Sequence, residues 1–243
     1  MRADDVQSSR IFEGTGAGRV TPTSDAEEGW DAYSRGWSGA PAEVLGDEWF
    51  TPEQCSAIWT AFGEPFARPG SDALEIGPGG GKWSRRIAAR CGALAVADVS
   101  SEMLTRTAAL LGDRVRAVKL DGTGFGPLAD ASFDFVWAFD VYVHLDLEDA
   151  WRYLNETRRV LRPDGRAVVH MADFLSAEGF AQFQREAPQS LGRAKWFSRL
   201  RWMTDPIARR LADAAGFRVV AADGASGPKL APRDLLYVLA PKA

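Results

Sequence analysis

Only two histidines, two cysteines and four methionines occur in the 243 residues, and basic charge is not in excess. Each shortage narrows the function. Cys55 and Cys91 lie far apart in helical patterns and fit no metal-ligand spacing, so both read as buried or half-buried free thiols. Lys and Arg number 29 against 33 Asp and Glu, a formal charge of −4. That balance leaves no electrostatic footprint for a nucleic acid. The Arg158, Arg159, Arg162 set reads as helix-end charge, and Arg193, Lys195, Arg199, Arg201 as a solvated set or a contact for an anionic acceptor. No run of about 18 apolar residues is present, so no membrane-spanning helix is expected. Met1 to Val20 carries Asp4, Asp5 and Glu13 where a secretory leader would be apolar, which points to the cytoplasm.

What is there has the balance of a globular domain: 46% hydrophobic and 26% charged residues. Residues 1 to about 25 are rich in Gly, Ser, Thr, Asp and Glu and are expected to be mobile unless substrate or a partner orders them. Trp30, Tyr33, Trp37, Trp49 and Phe50 follow closely, an aromatic density that must pack on the core or on a ligand. Thr51-Pro52-Glu53-Gln54 reads as a capped helix start, continued by Ile58, Phe62 and Phe66 and ended by Pro69-Gly70.

From there, apolar strands and amphipathic helices alternate. Strands are expected over Ala73–Ile76, Leu94–Asp98, Val115–Leu120, Phe133–Phe139, Arg166–Met171, Phe217–Ala221 and Leu235–Ala240. Helices are expected over Lys82–Arg90, Ser101–Leu111, Glu148–Leu161 and Asp205–Ala215. This is the pattern of an α/β fold: a Rossmann-like, doubly wound, seven-stranded sheet with helices on both faces. No helix separates the last two strands, so the final strand is expected to run antiparallel.

In such a sheet, ligands bind beyond the carboxyl ends of the strands. The first strand ends in Glu75-Ile76-Gly77-Pro78-Gly79-Gly80-Gly81-Lys82, with four glycines in five positions. Glycine lets the chain turn tightly and approach a ligand. The spacing is not that of a dinucleotide loop, because Lys82 stands where the last glycine of G-x-G-x-x-G belongs. Glu75 would repel a pyrophosphate but suits a cation or amine donors. Asp98, about 20 residues past the loop, is placed to accept from ribose hydroxyls. Asp121-Gly122-Thr123 follows the third strand and suits an exocyclic amine. Phe139-Asp140 follows the fourth.

These residues resemble the class I S-adenosylmethionine-dependent methyltransferases over about residues 50 to 240. The carriers are Glu75-x-Gly77-x-Gly79-x-Gly81, Asp98, Asp121-Gly122, Phe133-Asp134-Phe135-Val136, Arg159-Val160-Leu161-Arg162-Pro163-Asp164-Gly165 and Ala215-Gly216-Phe217. The resemblance implies S-adenosylmethionine as cofactor. Glu75, Gly77, Pro78 and Gly79 would pass beneath its methionine part and Asp98 would hold the ribose. Asp121, Gly122 and Thr123 would meet the adenine amine, Val99 and Met103 would pack on the ring, and the main chain near Phe139 would take the methionine amino group. Residues 1–50 would form an aromatic cap over the active site, residues 51–243 the methyltransferase domain, and residues 174–204 an acceptor lid.

Methyl transfer from a sulfonium needs mainly alignment and exclusion of water, and a base where the acceptor is a hydroxyl. His144 is the candidate base. If a helical turn begins at Asp140, the two lie four apart on one face, and Asp140 would orient the imidazole. The string Phe139-Asp140-x-x-Val143-His144 is similar to a subgroup acting on sugars and secondary metabolites. That resemblance implies a histidine pair after the fifth strand, of which only His170 is present, followed by Met171. Tyr33, Trp37, Tyr142, His170 and Trp196 are the expected acceptor contacts, with Phe174, Phe180, Phe183, Phe197 and Trp202 as lid aromatics. No metal is expected. The reading is a methyltransferase for a small-molecule acceptor, oxygen ahead of nitrogen and carbon third, working as monomer or homodimer. Protein or RNA methylation and a non-catalytic adenosylmethionine-binding regulator stand as alternatives. A nicotinamide dehydrogenase is disfavoured by the glycine spacing and by Glu75.

Overall fold

The computed structural model describes residues 23–39, 44–46, 49–190 and 198–242. Trp196, Phe197, Arg193 and Lys195 lie outside the described residues, as does most of the segment expected to be mobile.

A helix α1 (Thr23–Gly36) precedes the expected helix α2 (Pro52–Ile58). The α2 start is the capping box anticipated from sequence: Thr51 Oγ1 accepts from the Gln54 amide at 3.2 Å and Gln54 Oε1 accepts from the Thr51 amide at 2.9 Å. Helix α2 runs on as a wider π turn, Trp59–Gly63. Gly63 admits it, because a Cβ there would stand 2.3 Å from the Trp59 ring.

The strands are β1 (Asp72–Ile76), β2 (Ala93–Asp98), β3 (Arg116–Lys119), β4 (Phe133–Ala138), β5 (Leu161–Asp173), β6 (Trp202–Met203), β7 (Phe217–Ala222) and β8 (Asp234–Pro241). They form one sheet in the order β3-β2-β1-β4-β5-β8-β7, with β6 paired beside β5. Strands β1 to β5 pair in parallel, and β8 is antiparallel to both β5 and β7. Helices α3 (Ser84–Ala88), α4 (Ser101–Leu111), α5 (Leu147–Val160), α6 (Ala177–Glu186) and α7 (Asp205–Ala214) follow the strands. The doubly wound expectation and the antiparallel last strand both hold. The two-residue β6 carried no period to read, and β5 is longer at both ends than its apolar run.

Side chains of alternate residues split the core into two layers, as the strand period requires. Leu74, Ile76, Val136, Ala138, Val169 and Tyr237 pack on one face. Ala73, Val96, Phe135, Trp137, Val168 and Leu236 pack on the other. Burial of apolar surface on both faces is the main stabilising term. The chain order reverses between β1 and β4, so a crevice opens at their carboxyl ends.

Candidate active site

Glu75 lies in the middle of the sheet, between Val96 of β2 and Trp137 of β4, on the same face as Ala73. It is buried, and burial pushes its carboxyl up to about 8, against a hydrogen bond from Ser84 and with further upward push from Asp98. Ser84 Oγ donates to one carboxylate oxygen. The other, Oε1, is buried without a partner. The loop beyond it has left-handed backbone at Gly77, Gly79 and Gly81. A Cβ at Gly77 would stand 2.4 Å from Val141 Cγ2, and one at Gly80 2.6 Å from the Leu45 amide. Leu45 therefore seats directly on the loop, where its carbonyl accepts from the Gly80 amide at 3.1 Å. Lys82 anchors the same segment, donating to the Gly46 carbonyl at 2.8 Å.

Asp98 closes β2. Its Oδ1 accepts from the Ser100 amide at 2.7 Å, and burial pushes its carboxyl up to about 7. Val99 is partly buried against the core and Met103 is buried. Asp121 is exposed at the tip beyond β3, and its Oδ1 accepts from the Thr123 amide and hydroxyl at 2.8 and 2.6 Å. Those bonds hold its carboxyl below the usual range. Gly122 between them has φ of 78°, a backbone that a Cβ would strain.

Helix α1 crosses to α4. Asp31 Oδ1 accepts from Ser100 Oγ at 2.5 Å and from the Glu102 amide at 3.2 Å, at the positive end of α4. Arg106 donates to Ser34 Oγ at 2.6 Å. Trp30 reaches the other side of the crevice, with its ring 5.1 Å from that of His144. Tyr33 lies edge-on to Trp30 at 5.9 Å. Trp37 sits by the Arg106 guanidinium, on the α4 side.

Beyond β4 the structure corrects three expectations. Asp140 does not begin a helical turn with His144. Its φ is 59° and only Tyr142–His144 form a short 3-10 turn, so the two side chains do not share a helical face. The Asp140 carboxylate instead meets His170, Oδ1 to Nδ1 at 3.2 Å. Tyr142 is not an acceptor contact but a core residue. It is buried against Tyr153, with its hydroxyl 3.2 Å from Thr157 Oγ1. His170 does not reach the acceptor either: it is fully buried, stacked 4.0 Å from the Phe139 ring at 8°. Strand alternation placed it inward, because β5 is covered on both faces.

His144 is partly buried, beside the Trp30 ring. Its Nδ1 lies 3.3 Å from the Arg199 carbonyl, and burial lowers its pKa despite that bond and the charge of Asp140. Phe174, Phe180, Phe183 and Trp202 form an aromatic cluster, with Phe174–Phe183 centroids 5.2 Å and Phe174–Trp202 6.1 Å apart. A cavity of about 240 Å³ between Leu145–Leu147 and Arg199–Met203 is lined in part by the lid aromatic Trp202 and by Arg199 and Arg201.

Sequence reasoning missed Ser84, Asp31, Leu45 and the pair Arg233-Asp234. Ser84 falls three residues after Gly81 and was readable as a helix-start hydroxyl. Asp31 carried no signal for its target, because its partner lies 69 residues away. Arg233-Asp234, a charge pair opening a fully apolar strand, was a signal left unused.

The donor set fits S-adenosylmethionine. A buried carboxyl oxygen has no hydrogen-bond partner, the glycine loop presents no side chains, and a second carboxyl group stands at the tip of the neighbouring strand. A model described as a methyltransferase domain matches residues 74–169. The chain is 32% identical over 126 residues to 27-O-demethylrifamycin SV methyltransferase of Amycolatopsis mediterranei (strain S699), covering 49% of this chain and 44% of that protein. It is 35% identical over 109 residues to methyltransferase GfsG of Streptomyces halstedii, covering 41% and 37%. The chain thus spans less than half the length of these curated relatives. The structure of a DhpI–SAH complex superposes with a TM-score of 0.65 at 16% identity, covering 91% of this chain and 98% of that one. Magnesium protoporphyrin IX methyltransferase from Synechocystis, with bound SAH, gives 0.64 at 14% identity, covering 91% and 99%. Those two likenesses show the fold. Residues 74–169 match a methyltransferase domain, and they lie in a sheet of the same Rossmann-like fold as those two solved structures.

Proposed function

We propose that the chain transfers the methyl group of S-adenosylmethionine to a hydroxyl oxygen of a small natural-product-like acceptor, with His144 as the base. The observation that carries this reading is the state of His144. Nδ1 lies 3.3 Å from the Arg199 carbonyl, which can only accept, so Nδ1–H donates and Nε2 is left to take a proton; burial favours the neutral imidazole. The name of the Amycolatopsis relative, which denotes an O-methylation of a natural product, supports the same acceptor atom.

When bound, the cofactor supplies a methyl group already activated by its sulfonium. The chain's part is to bind, align and keep out water. Glu75 and the Gly77–Gly79 loop take the methionine part, with the main chain at Phe139 receiving its amino group. Asp98 accepts from the ribose, Val99 and Met103 flank the adenine, and Asp121 with Thr123 meets its amine. Helix α1, latched by Asp31 and Ser34, covers the nucleoside and brings Trp30 and Tyr33 to the acceptor side. The Phe174, Phe180, Phe183 and Trp202 cluster forms the apolar wall opposite.

Two experiments test this. Asp98→Ala should weaken calorimetric binding of S-adenosylhomocysteine by about 1–3 kcal/mol, the scale of hydrogen bonds to a charged group; unchanged affinity removes Asp98 from the ribose site. Incubation with radiolabelled S-adenosylmethionine and a panel of hydroxylated and amine-bearing natural products should label hydroxylated members. Label confined to amines would overturn the oxygen reading.

A further inference from the structure

One buried charge cluster plays no part in the chemistry above. His170 is fully buried between two carboxylates: its Nε2 lies 3.1 Å from Asp234 Oδ2 and its Nδ1 3.2 Å from Asp140 Oδ1. Nδ1 is also 3.2 Å from the Asp140 amide. It cannot accept from that amide and donate to the carboxylate at once. The Asp140 amide is aimed at Nδ1, while the two flanking anions favour the imidazolium, whose Nδ1–H would donate to Oδ1 in place of that amide contact. Burial alone would pull the imidazole down, and Asp234 and Asp140 more than offset it. Arg233 Nε holds the other oxygen of Asp234 at 2.7 Å. Two cations thus face two anions, the arrangement that makes buried charge tolerable.

The cluster ends on a strained residue. Asp140 has φ of 59°, a left-handed backbone that Asp adopts more readily than most non-glycine residues but that costs more than in glycine unless its surroundings favour it. His170 grips this residue at its carboxylate, abuts its amide, and stacks on Phe139 just before it. Val141, just after it, touches the first glycine of the loop: Val141 Cγ2 would be 2.4 Å from a Cβ on Gly77. The backbone angle at residue 140 therefore sets how the β4 end meets the glycine loop.

We propose that His170, backed by Asp234 and Arg233, is a positioning residue: it holds Asp140 in the left-handed backbone and so fixes the β4 end against Gly77, at the rim that receives the methionine part of the cofactor. This rests on the cofactor reading above.

The test is a rescue measured by binding of S-adenosylhomocysteine. His170→Gln should raise Kd about tenfold or more by releasing the strained turn. Adding Asp140→Gly should return Kd to within about threefold of wild type, because glycine adopts positive φ without being held. A residue that merely stabilised the fold would show no such recovery. Asp234→Asn, alone and with Asp140→Gly, should follow the same pattern and decides the matter if His170→Gln does not fold. Unchanged affinity in folded His170→Gln or Asp234→Asn, or a loss that Asp140→Gly does not reverse, overturns the proposal. Failure of the wild-type chain to bind would instead overturn the cofactor reading, and the positioning role with it.

Discussion

Replacing Glu75 by Gln is expected to cost at least about 100-fold in affinity for S-adenosylmethionine, or about 3 kcal/mol, the upper range for a charged hydrogen bond lost in a dry site. The same change should make the empty protein relatively more stable as pH rises. The reason is the folded-state carboxyl at about 8, held there by burial. An unfolded Glu ionises near pH 4 to 5, so between that range and about 8 the folded state binds the extra proton. Stability due to this group is therefore full at low pH and is lost as pH climbs through the interval. Gln has no such titration. Melting temperatures of the two proteins, measured from pH 5 to pH 9 without cofactor, should diverge in favour of Gln on the alkaline side, reflecting a stability difference on the order of a few kcal/mol. The unpartnered Oε1 is what a ligand donor would satisfy. A carboxylate that destabilises its own empty fold is accounted for by a bound donor. Parallel melting curves with retained affinity would show that Glu75 is structural.

His144→Ala should lower turnover about 100-fold or more while leaving cofactor affinity unchanged, the usual scale for loss of a general base. The imidazole is tied at Nδ1 to a carbonyl and flanked by Trp30, so its position is fixed before any acceptor arrives. The acceptor found by the labelled panel provides the assay. A hydroxyl acceptor whose methylation is insensitive to His144→Ala would leave alignment alone as the catalytic term. Equal losses in turnover and cofactor affinity would make His144 a packing residue of the α1 contact.

The sheet was legible because its signals are local. Alternating strand and helix periods, Gly77 to Gly81 after an apolar strand, and a capped start at Thr51 each depend on a few neighbouring residues. Glu75 and Asp98 were legible for the same reason: each is the polar end of an apolar strand. The catalytic rim was less so. The Asp140–His144 pairing assumed a helical turn, whereas the backbone at Asp140 is left-handed and its carboxylate meets His170, 30 residues away. His170 was assigned to the acceptor from the subgroup resemblance and Tyr142 from its aromatic type, while burial by distant elements gave them other partners. The contacts of α1 with Ser100 and Arg106 span about 70 residues and leave no trace in any local pattern.

The central claim is that Glu75, the glycine loop and Asp98 together hold an adenosine bearing a methionine-derived chain. Calorimetric titration of the intact chain with S-adenosylhomocysteine tests it most directly. One site with micromolar affinity is expected. No heat with this ligand, beside measurable binding of a nicotinamide dinucleotide, would contradict it.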